Sequence, residues 1–313
     1  MKKTFIINPT DIEEVLKSPL STALRAECEK LNLCYEEITS EERDNYILEV
    51  INILFNNNNL DKDSKPAGEV RLQEWENGWN ENLEALKNGK NVNDLVPKYH
   101  GKHKLVHWRQ RIIRPLVPNF DYKIHCLLVD WAIENFLNTS DTIFEFGCGP
   151  AYHLLRARKY NPNAKLVGLD WTKTSQEIIK QISNNGIDMN IEGKNFNFFE
   201  PDFSIDVPAK SGFLTVAALE QVGNRFDQFL EFVLQKKPKI CVHIEPIDEL
   251  LDQSNLIDRL SILYFRKRNY LSGFLPRLHQ LQEEGKIKIL KEQRTYTGSF
   301  FIEGHSLVVW YPL

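Results

Sequence analysis

A short apolar run that breaks into glycines constrains the fold more than any other stretch of this chain. Ile143 to Phe146 has the character of a buried strand, and Gly147-Cys148-Gly149-Pro150 follows it directly. An amphipathic segment, roughly 152–160, comes next. This order predicts a strand, a tight turn and a helix. The glycines would let a ligand approach the main chain, and the start of the helix would present unpaired N–H groups.

The turn differs from the common phosphate-binding motifs. A dinucleotide fingerprint needs a third glycine, but Pro150-Ala151-Tyr152 follows Gly149, and the Lys-Ser/Thr ending of a P-loop is also missing. Glu145 is an acid within an otherwise apolar strand, two residues before the first glycine. A carboxylate at this point would repel a pyrophosphate, whereas it suits a ligand that carries a cationic group.

Two later segments extend the pattern. Asp170 ends a second apolar run, residues 165–169, and follows Gly147 by 23 residues. An acid at this spacing, at the end of a second strand, is placed to accept hydrogen bonds from ribose hydroxyls; the alternative is that it only caps a turn. Residues 195–203 form the third segment and contain Asp202 and Phe203, which are equally compatible with an ordinary turn.

The Glu-x-Gly-x-Gly pattern resembles motif I of the class I S-adenosylmethionine-dependent methyltransferases. The two later segments resemble the motifs that follow motif I along the chain in that family. Ala151 stands where that family commonly has a third glycine. The resemblance covers roughly residues 125–313. It implies an α/β fold, a Rossmann-like seven-stranded, mostly parallel sheet with an antiparallel last strand, over 121–313. A helical N-terminal extension, 1–120, would shape the acceptor pocket.

The resemblance also implies S-adenosylmethionine as cofactor and S-adenosylhomocysteine as product. The acid of motif I would hold the methionine moiety, Asp202 the adenine amino group, and Phe203 the face of the ring. Trp171 would lie near the adenine or cap the surface. The residues expected to bind the cofactor are Glu145, Gly147, Cys148, Gly149, Asp170, Trp171, Asp202, Phe203 and Glu220.

Composition narrows the class of protein. At 313 residues, about two domains, or one domain with a large extension, are expected. The net charge of −4 disfavours a nucleic-acid partner without excluding local basic patches. The five cysteines are scattered, which is typical of reduced thiols. Because no run of 18 apolar residues and no signal-peptide pattern occurs, we expect a soluble, cytoplasmic protein that has no membrane partner.

The segment 99–111 is unusual, since it holds three of the eight histidines and four Lys or Arg side chains. His103 and His107 would share a face of a helix, so a metal pair is conceivable, and a solvated basic face is an alternative. The third interpretation, favoured by analogy with the family, is a lid over the acceptor with anion-binding arginines. Candidate substrate contacts are Tyr99, His103, Arg109, Arg111 and, at the end of a fifth strand, Glu245.

Methyl transfer to oxygen or nitrogen also requires a proton acceptor. Glu220, at the end of the fourth strand, is the first candidate, and His107 and His243 are the others; Glu220 is equally compatible with a helix N-cap acid and His243 with a satisfied core histidine. No aspartates surround the fourth strand, so no metal is predicted. Trp75 and Trp79, at i and i+4, indicate core packing more than a substrate wall.

The sequence therefore predicts a metal-independent S-adenosylmethionine-dependent methyltransferase that acts on an oxygen or nitrogen of a small molecule. The Lys and Arg side chains make an anionic acceptor one hypothesis. Two alternatives stay open. The acceptor is a protein or peptide docked on the extension, or the chain is a catalytically inactive cofactor-binding partner subunit. The oligomeric state is not predicted.

Overall fold

The N-terminal part of the chain combines helices with a small sheet. In the computed structural model, the description covers residues 3–55, 65–89, 91–98 and 100–313. The elements before residue 120 are β1 (Thr4–Ile7), α1 (Pro9–Leu16), α2 (Thr22–Leu31), β2 (Leu33–Glu37), α3 (Ser40–Phe55), α4 (Leu72–Gly89), β3 (Val106–Trp108) and β4 (Arg111–Pro115). Pro19 lies between α1 and α2, since a proline inside a helix removes a backbone hydrogen bond and clashes with the preceding turn.

The prediction of a helical N-terminal extension was incomplete, because this part of the chain also forms a small sheet. The four strands pair in the order β1-β2-β4-β3, and a two-residue strand from the far end of the chain, Thr297–Gly298, joins them beside β3. The strands are three to five residues long and carry charged side chains at several positions. Such short, polar runs lack the clear alternation that identifies a strand from sequence. His103 and His107 do not share a helix, because His107 lies in β3.

The rest of the chain supplies every strand of the predicted seven-stranded sheet, and also the two-residue strand Thr297–Gly298 of the small sheet. Its elements are α5 (Phe120–Ala132), β5 (Thr142–Phe146), α6 (Tyr152–Tyr160), β6 (Lys165–Asp170), α7 (Lys173–Asn184), β7 (Ile191–Asn195), β8 (Ser211–Val216), α8 (Asp227–Lys236), β9 (Ile240–Glu245), α9 (Leu256–Arg268), α10 (Phe274–Glu283), β10 (Ile287–Gln293), β11 (Thr297–Gly298) and β12 (Ser306–Pro312). None of the helices described is long and apolar enough to cross a membrane.

The sheet has the order β10-β12-β9-β8-β5-β6-β7. The pairs β5–β6, β6–β7, β5–β8 and β8–β9 are parallel, whereas β12 runs antiparallel to both β9 and β10. The last strand is thus inserted, reversed, between two strands that precede it in sequence. This topology confirms the fold that the resemblance to class I methyltransferases implied.

The central strands are buried along their whole length because helices cover both faces of the sheet. Alternate residues serve two separate cores: Ile143 and Leu214 belong to one, and Phe144 and Phe213 to the other. The chain builds outward from β5 in one direction through β6 and in the other through β8. The carboxyl ends of these strands border a crevice, which is where open α/β sheets bind their ligands.

Candidate functional site

The glycine turn after β5 is closely packed on both sides. Gly147 and Gly149 have φ values of 69° and 49°, in the left-handed region. A Cβ atom on Gly147 would lie 2.4 Å from the Cβ of Ala218, and one on Gly149 would lie 2.7 Å from the ring of Trp79. Ala151 also has a left-handed φ, 60°, where the family commonly has glycine. The turn therefore needs glycine at two positions for both conformation and space.

A cavity opens directly above this turn. The space between its lining residues, including the open mouth, is about 780 Å³. The turn itself, Gly147 to Pro150, forms the floor. Val216 at the end of β8, with Ala217 and Ala218 after it, forms one side. The N-terminal extension contributes Trp75, Trp79 and Pro97. The cavity thus lies at the predicted edge of the sheet and is bounded by both parts of the chain.

Asp170 links the glycine turn to the cavity that it lines. One carboxylate oxygen accepts a hydrogen bond from the N–H of Gly149 (2.9 Å), and the other accepts from the N–H and the hydroxyl of Thr172 (2.8 and 2.7 Å). Burial raises the pKa of Asp170, and these hydrogen bonds oppose that shift. Asp170 does cap a turn, as the alternative interpretation had it. Asp170 also lines the cavity, so its carboxylate borders the ligand space while it holds the turn.

Glu145 lies beneath the turn and is paired with a histidine that the sequence analysis did not single out. Its Oε1 is 3.0 Å from Nδ1 of His153, at the start of α6, and the carboxyl group is 1% exposed. Burial raises the pKa of Glu145, while His153 opposes the shift. The other atoms, Glu145 Oε2 and His153 Nε2, are buried without a hydrogen-bond partner among the residues described. His153 lines the cavity, and Glu145 lies behind it.

Aromatic rings form two walls of the cavity. On the β7 side the wall consists of Trp171, Phe196, Phe198 and Phe199. On the opposite side Trp75 and Trp79 are stacked, with ring centroids 5.4 Å apart and an interplanar angle of 23°. The interpretation of this tryptophan pair as core was incomplete, because both rings also face the cavity. The i, i+4 spacing identifies a common face of α4 but not what that face covers.

Helix α4, which carries the tryptophans, is anchored at the start of α7. The carboxylate of Glu76 accepts hydrogen bonds from the backbone N–H groups of Lys173 and Thr174, both at 3.0 Å, and from the Thr174 hydroxyl (2.6 Å). An acid at a helix N-terminus satisfies free N–H groups and interacts favourably with the helix dipole. This contact holds the extension over the cavity.

Asp202 and Phe203 lie outside the cavity, so the expectation that they hold the adenine is revised. Asp202 is exposed and accepts hydrogen bonds from the N–H and hydroxyl of Ser204 (2.8 and 2.6 Å). This is an Asx turn, the ordinary use of an aspartate after Pro201. Phe196 and Phe198, a few residues earlier in the same predicted segment, line the cavity instead.

Glu220 and Glu245 form a buried acidic pair next to the cavity wall. Glu245 Oε1 accepts from the N–H groups of Ala218 and Leu219 (3.1 and 3.0 Å), and its Oε2 accepts from the N–H of Glu220 (3.2 Å). Burial raises the pKa of Glu245 to about 7. Burial, with the neighbouring Glu245, raises that of Glu220 to about 8. Neither acid lines the cavity, whereas Gln221 does.

This placement changes the expected roles of both acids. Glu245 shapes the turn after β8 and does not face an acceptor. Glu220 is buried beside Glu245 and does not line the cavity, so its carboxyl group is not placed to accept a proton there. The side chain of Gln221 donates to Glu220 Oε1 (2.9 Å), which connects the pair indirectly to the cavity.

The two candidate histidines are also enclosed in the protein. His107 Nε2 lies 2.5 Å from the hydroxyl of Tyr46, and its Nδ1 lies 3.1 Å from Glu303 Oε2. His243 Nδ1 lies 2.9 Å from the hydroxyl of Thr215, and burial lowers the pKa of His243 to about 3. Neither ring lines the cavity. His243 therefore corresponds to the alternative expectation of a core histidine, with Nδ1 partnered and Nε2 buried without a hydrogen-bond partner among the residues described.

The segment 99–111 does not bring its charged groups to the cavity. Arg109 bonds to Glu14 (2.8 Å), and the exposed Arg111 bonds to Glu37 (3.1 Å). His103 stacks on Phe300 with centroids 4.9 Å apart. Tyr99 lies outside the described residues. We therefore revise the expectation that these arginines bind an anionic acceptor, because both have acidic partners on the extension itself.

No family profile matches the chain, and no curated protein matches it. Solved structures with a related fold include a geranyl diphosphate methyltransferase with bound geranyl diphosphate and sinefungin: 12% identity, 78% of this chain and 97% of that one, TM-score 0.48. Human N-acetylserotonin methyltransferase in complex with S-adenosylmethionine is 10% identical over 96% of this chain and 73% of its own, with a TM-score of 0.43. At these values the likenesses carry no information about what this chain binds.

Proposed function

We propose that the chain is an S-adenosylmethionine-dependent methyltransferase that acts on an oxygen or nitrogen of a small molecule. The observation that carries the proposal is the cavity at the carboxyl ends of β5, β6 and β8. Asp170 lines this cavity and also holds the glycine turn through the N–H of Gly149. The reversed β12 belongs to the same sheet topology.

The chemistry of the lining favours this cofactor over a dinucleotide. Among the residues described, no lysine or arginine lines the cavity, so a pyrophosphate would have no cationic partner there. A sulfonium ligand needs no such partner. Phe196 and Phe198 would pack on the adenine, Asp170 would accept from a ribose hydroxyl, and the turn would pass along the methionine part.

The remaining lining residues support a small and largely apolar acceptor. Trp75 and Trp79 of the extension face Gln221 and Val222 across the cavity. When bound, the cofactor supplies an activated methyl group, so the protein's contribution is alignment of the acceptor and exclusion of water. Alignment alone accounts for up to roughly 7–11 kcal/mol in well-held intramolecular reactions. Enclosure by the extension favours a small molecule over a peptide docked in an open groove.

The test is turnover with acceptors of different classes. We expect S-adenosylhomocysteine to be released from S-adenosylmethionine when uncharged aromatic alcohols or amines are supplied, and to be released much more slowly by Trp75→Ala. Peptide substrates and anionic acceptors serve as comparison sets. Turnover with peptides alone would overturn the small-molecule assignment, and turnover only with anionic acceptors would contradict the apolar one.

A further inference from the structure

Four histidines meet beside the glycine turn, and no role above accounts for them. The ring of His125 on α5 lies 5.9 Å from His153, 4.9 Å from His305 and 6.3 Å from His100, measured between centroids. The four side chains come from four separate parts of the chain. Of these four rings, that of His153 reaches the lining of the cavity, and burying its polar atoms is costly unless they find partners.

His153 is the member of this cluster that lines the cavity. Its Nδ1 is fixed by Glu145 Oε1 at 3.0 Å, and its buried Nε2 has no hydrogen-bond partner among the residues described. A buried nitrogen of this kind costs free energy unless a ligand completes it. The second residue of α6 therefore offers one oriented polar atom next to the turn.

We propose that His153 Nε2–H binds the carboxylate at the amino-acid end of S-adenosylmethionine, and that Glu145 is the positioning residue that orients the imidazole. This inference rests on the proposed function, because it assigns one end of that cofactor to one side chain. The turn, which would pass along the methionine part, lies directly beside His153.

Nδ1 faces the Glu145 carboxyl group, so Nε2 is the ring nitrogen that is left for a ligand. Nε2 donates a hydrogen bond when the Glu145–His153 pair holds one proton between the carboxyl group and Nδ1 and a second proton on Nε2. The neighbouring rings do not compete as cations. Burial lowers the pKa of His305 to about 4 and that of His100 to about 3, and it places the pKa of His125 well below its usual value.

Two ligands that differ only at the amino-acid end provide the test. S-adenosylhomocysteine has the carboxylate, whereas 5′-methylthioadenosine keeps the adenosine and the sulfur without it. Two isosteric variants separate the nitrogens of the ring, since asparagine places its amide near Nδ1 and glutamine places its amide near Nε2. His279→Asn is the matched control, because His279 is exposed and pairs with Glu292, away from the cavity.

We expect calorimetric titration to show that His153→Asn weakens S-adenosylhomocysteine roughly 10- to 100-fold, as the loss of one hydrogen bond to a charged group implies. His153→Gln should lose less affinity for S-adenosylhomocysteine than His153→Asn does. 5′-Methylthioadenosine should bind all variants with equal affinity. Circular dichroism and melting curves establish that each variant is folded.

Three other outcomes are decisive. An equal loss for both ligands, or no loss for either, would overturn the assignment of His153. Wild-type protein that binds decarboxylated S-adenosylmethionine as tightly as the intact compound would also overturn it. If the wild-type protein binds neither S-adenosylhomocysteine nor 5′-methylthioadenosine, the proposed function is refuted instead. Failure of the His153 assignment and failure of the proposed function are therefore distinguishable.

Discussion

The buried acid Glu220 gives the most quantitative prediction. Its side chain is 6% exposed, and burial together with Glu245 raises its pKa from 4.5 to about 8. A folded-state pKa above the unfolded value means that the folded protein binds more protons between these two pH values. Stability from this group is therefore fully present below about pH 4.5 and is lost as the pH rises through about 8.

The magnitude follows from the same two values. One pKa unit corresponds to about 1.4 kcal/mol, so ionisation of Glu220 alone should lower the free energy of unfolding by roughly 3 kcal/mol between pH 5 and pH 8. Glu220→Gln keeps the shape of the protonated acid and removes the titration. We expect the variant to match the wild type at pH 5 and to be more stable at pH 8, by denaturant titration at each pH.

Glu245→Gln is the control for this prediction. Glu245 uses both oxygens to accept from three N–H groups, so an amide –NH₂ in place of one oxygen should destabilise the protein at both pH values. The reasoning is refuted if Glu220→Gln is less stable than the wild type at pH 8. It would also be refuted if the free energy of unfolding changed with pH in the same way for the wild type and for Glu220→Gln.

Three further predictions concern the turn and the surface. Gly147→Ala should lower the melting temperature, since it adds a Cβ atom 2.4 Å from that of Ala218 at a φ of 69° and a left-handed residue alone costs roughly 1–2 kcal/mol; Ala218→Gly in the same chain should restore part of the loss. Asp170→Asn should weaken S-adenosylhomocysteine at least about tenfold, because its oxygens no longer accept as a carboxylate, and unchanged affinity in titration would remove Asp170 from the site. Arg111→Ala should change stability by less than about 0.5 kcal/mol and leave ligand binding unaltered, because its pair with Glu37 is exposed; a large rise in acceptor KM would restore the original expectation for this arginine.

The sheet, and the edge of it that borders the cavity, were predictable from sequence for a physical reason. Buried parallel strands appear as continuous apolar runs, and each change of direction at a strand end is marked by glycine or an acid, as at Gly147 and Asp170. These signals are local, so one sequence is enough to place them. The split of the first helices at Pro19 follows from the same kind of local rule.

The rest of the site depends on contacts between distant parts of the chain. Nothing near His153 in sequence shows that it meets His125 and His305, and nothing near Trp79 shows that it covers Gly149. Glu245 ends β9, as expected, whereas Glu220 lies in the turn that follows β8. Both acids are buried against one another, so neither acts as an acid exposed to the cavity. Asp202 was placed by analogy with a family motif, whereas its turn chemistry with Ser204 explains its identity.

Ligand selectivity of the wild-type protein tests the central proposal most directly. S-adenosylhomocysteine, NAD and ATP are titrated separately into the protein by calorimetry under the same conditions. The account predicts micromolar binding of S-adenosylhomocysteine and no measurable binding of the two phosphate-bearing nucleotides. Binding of NAD or ATP without binding of S-adenosylhomocysteine would contradict it, because the cavity would then accept the pyrophosphate that its lining disfavours.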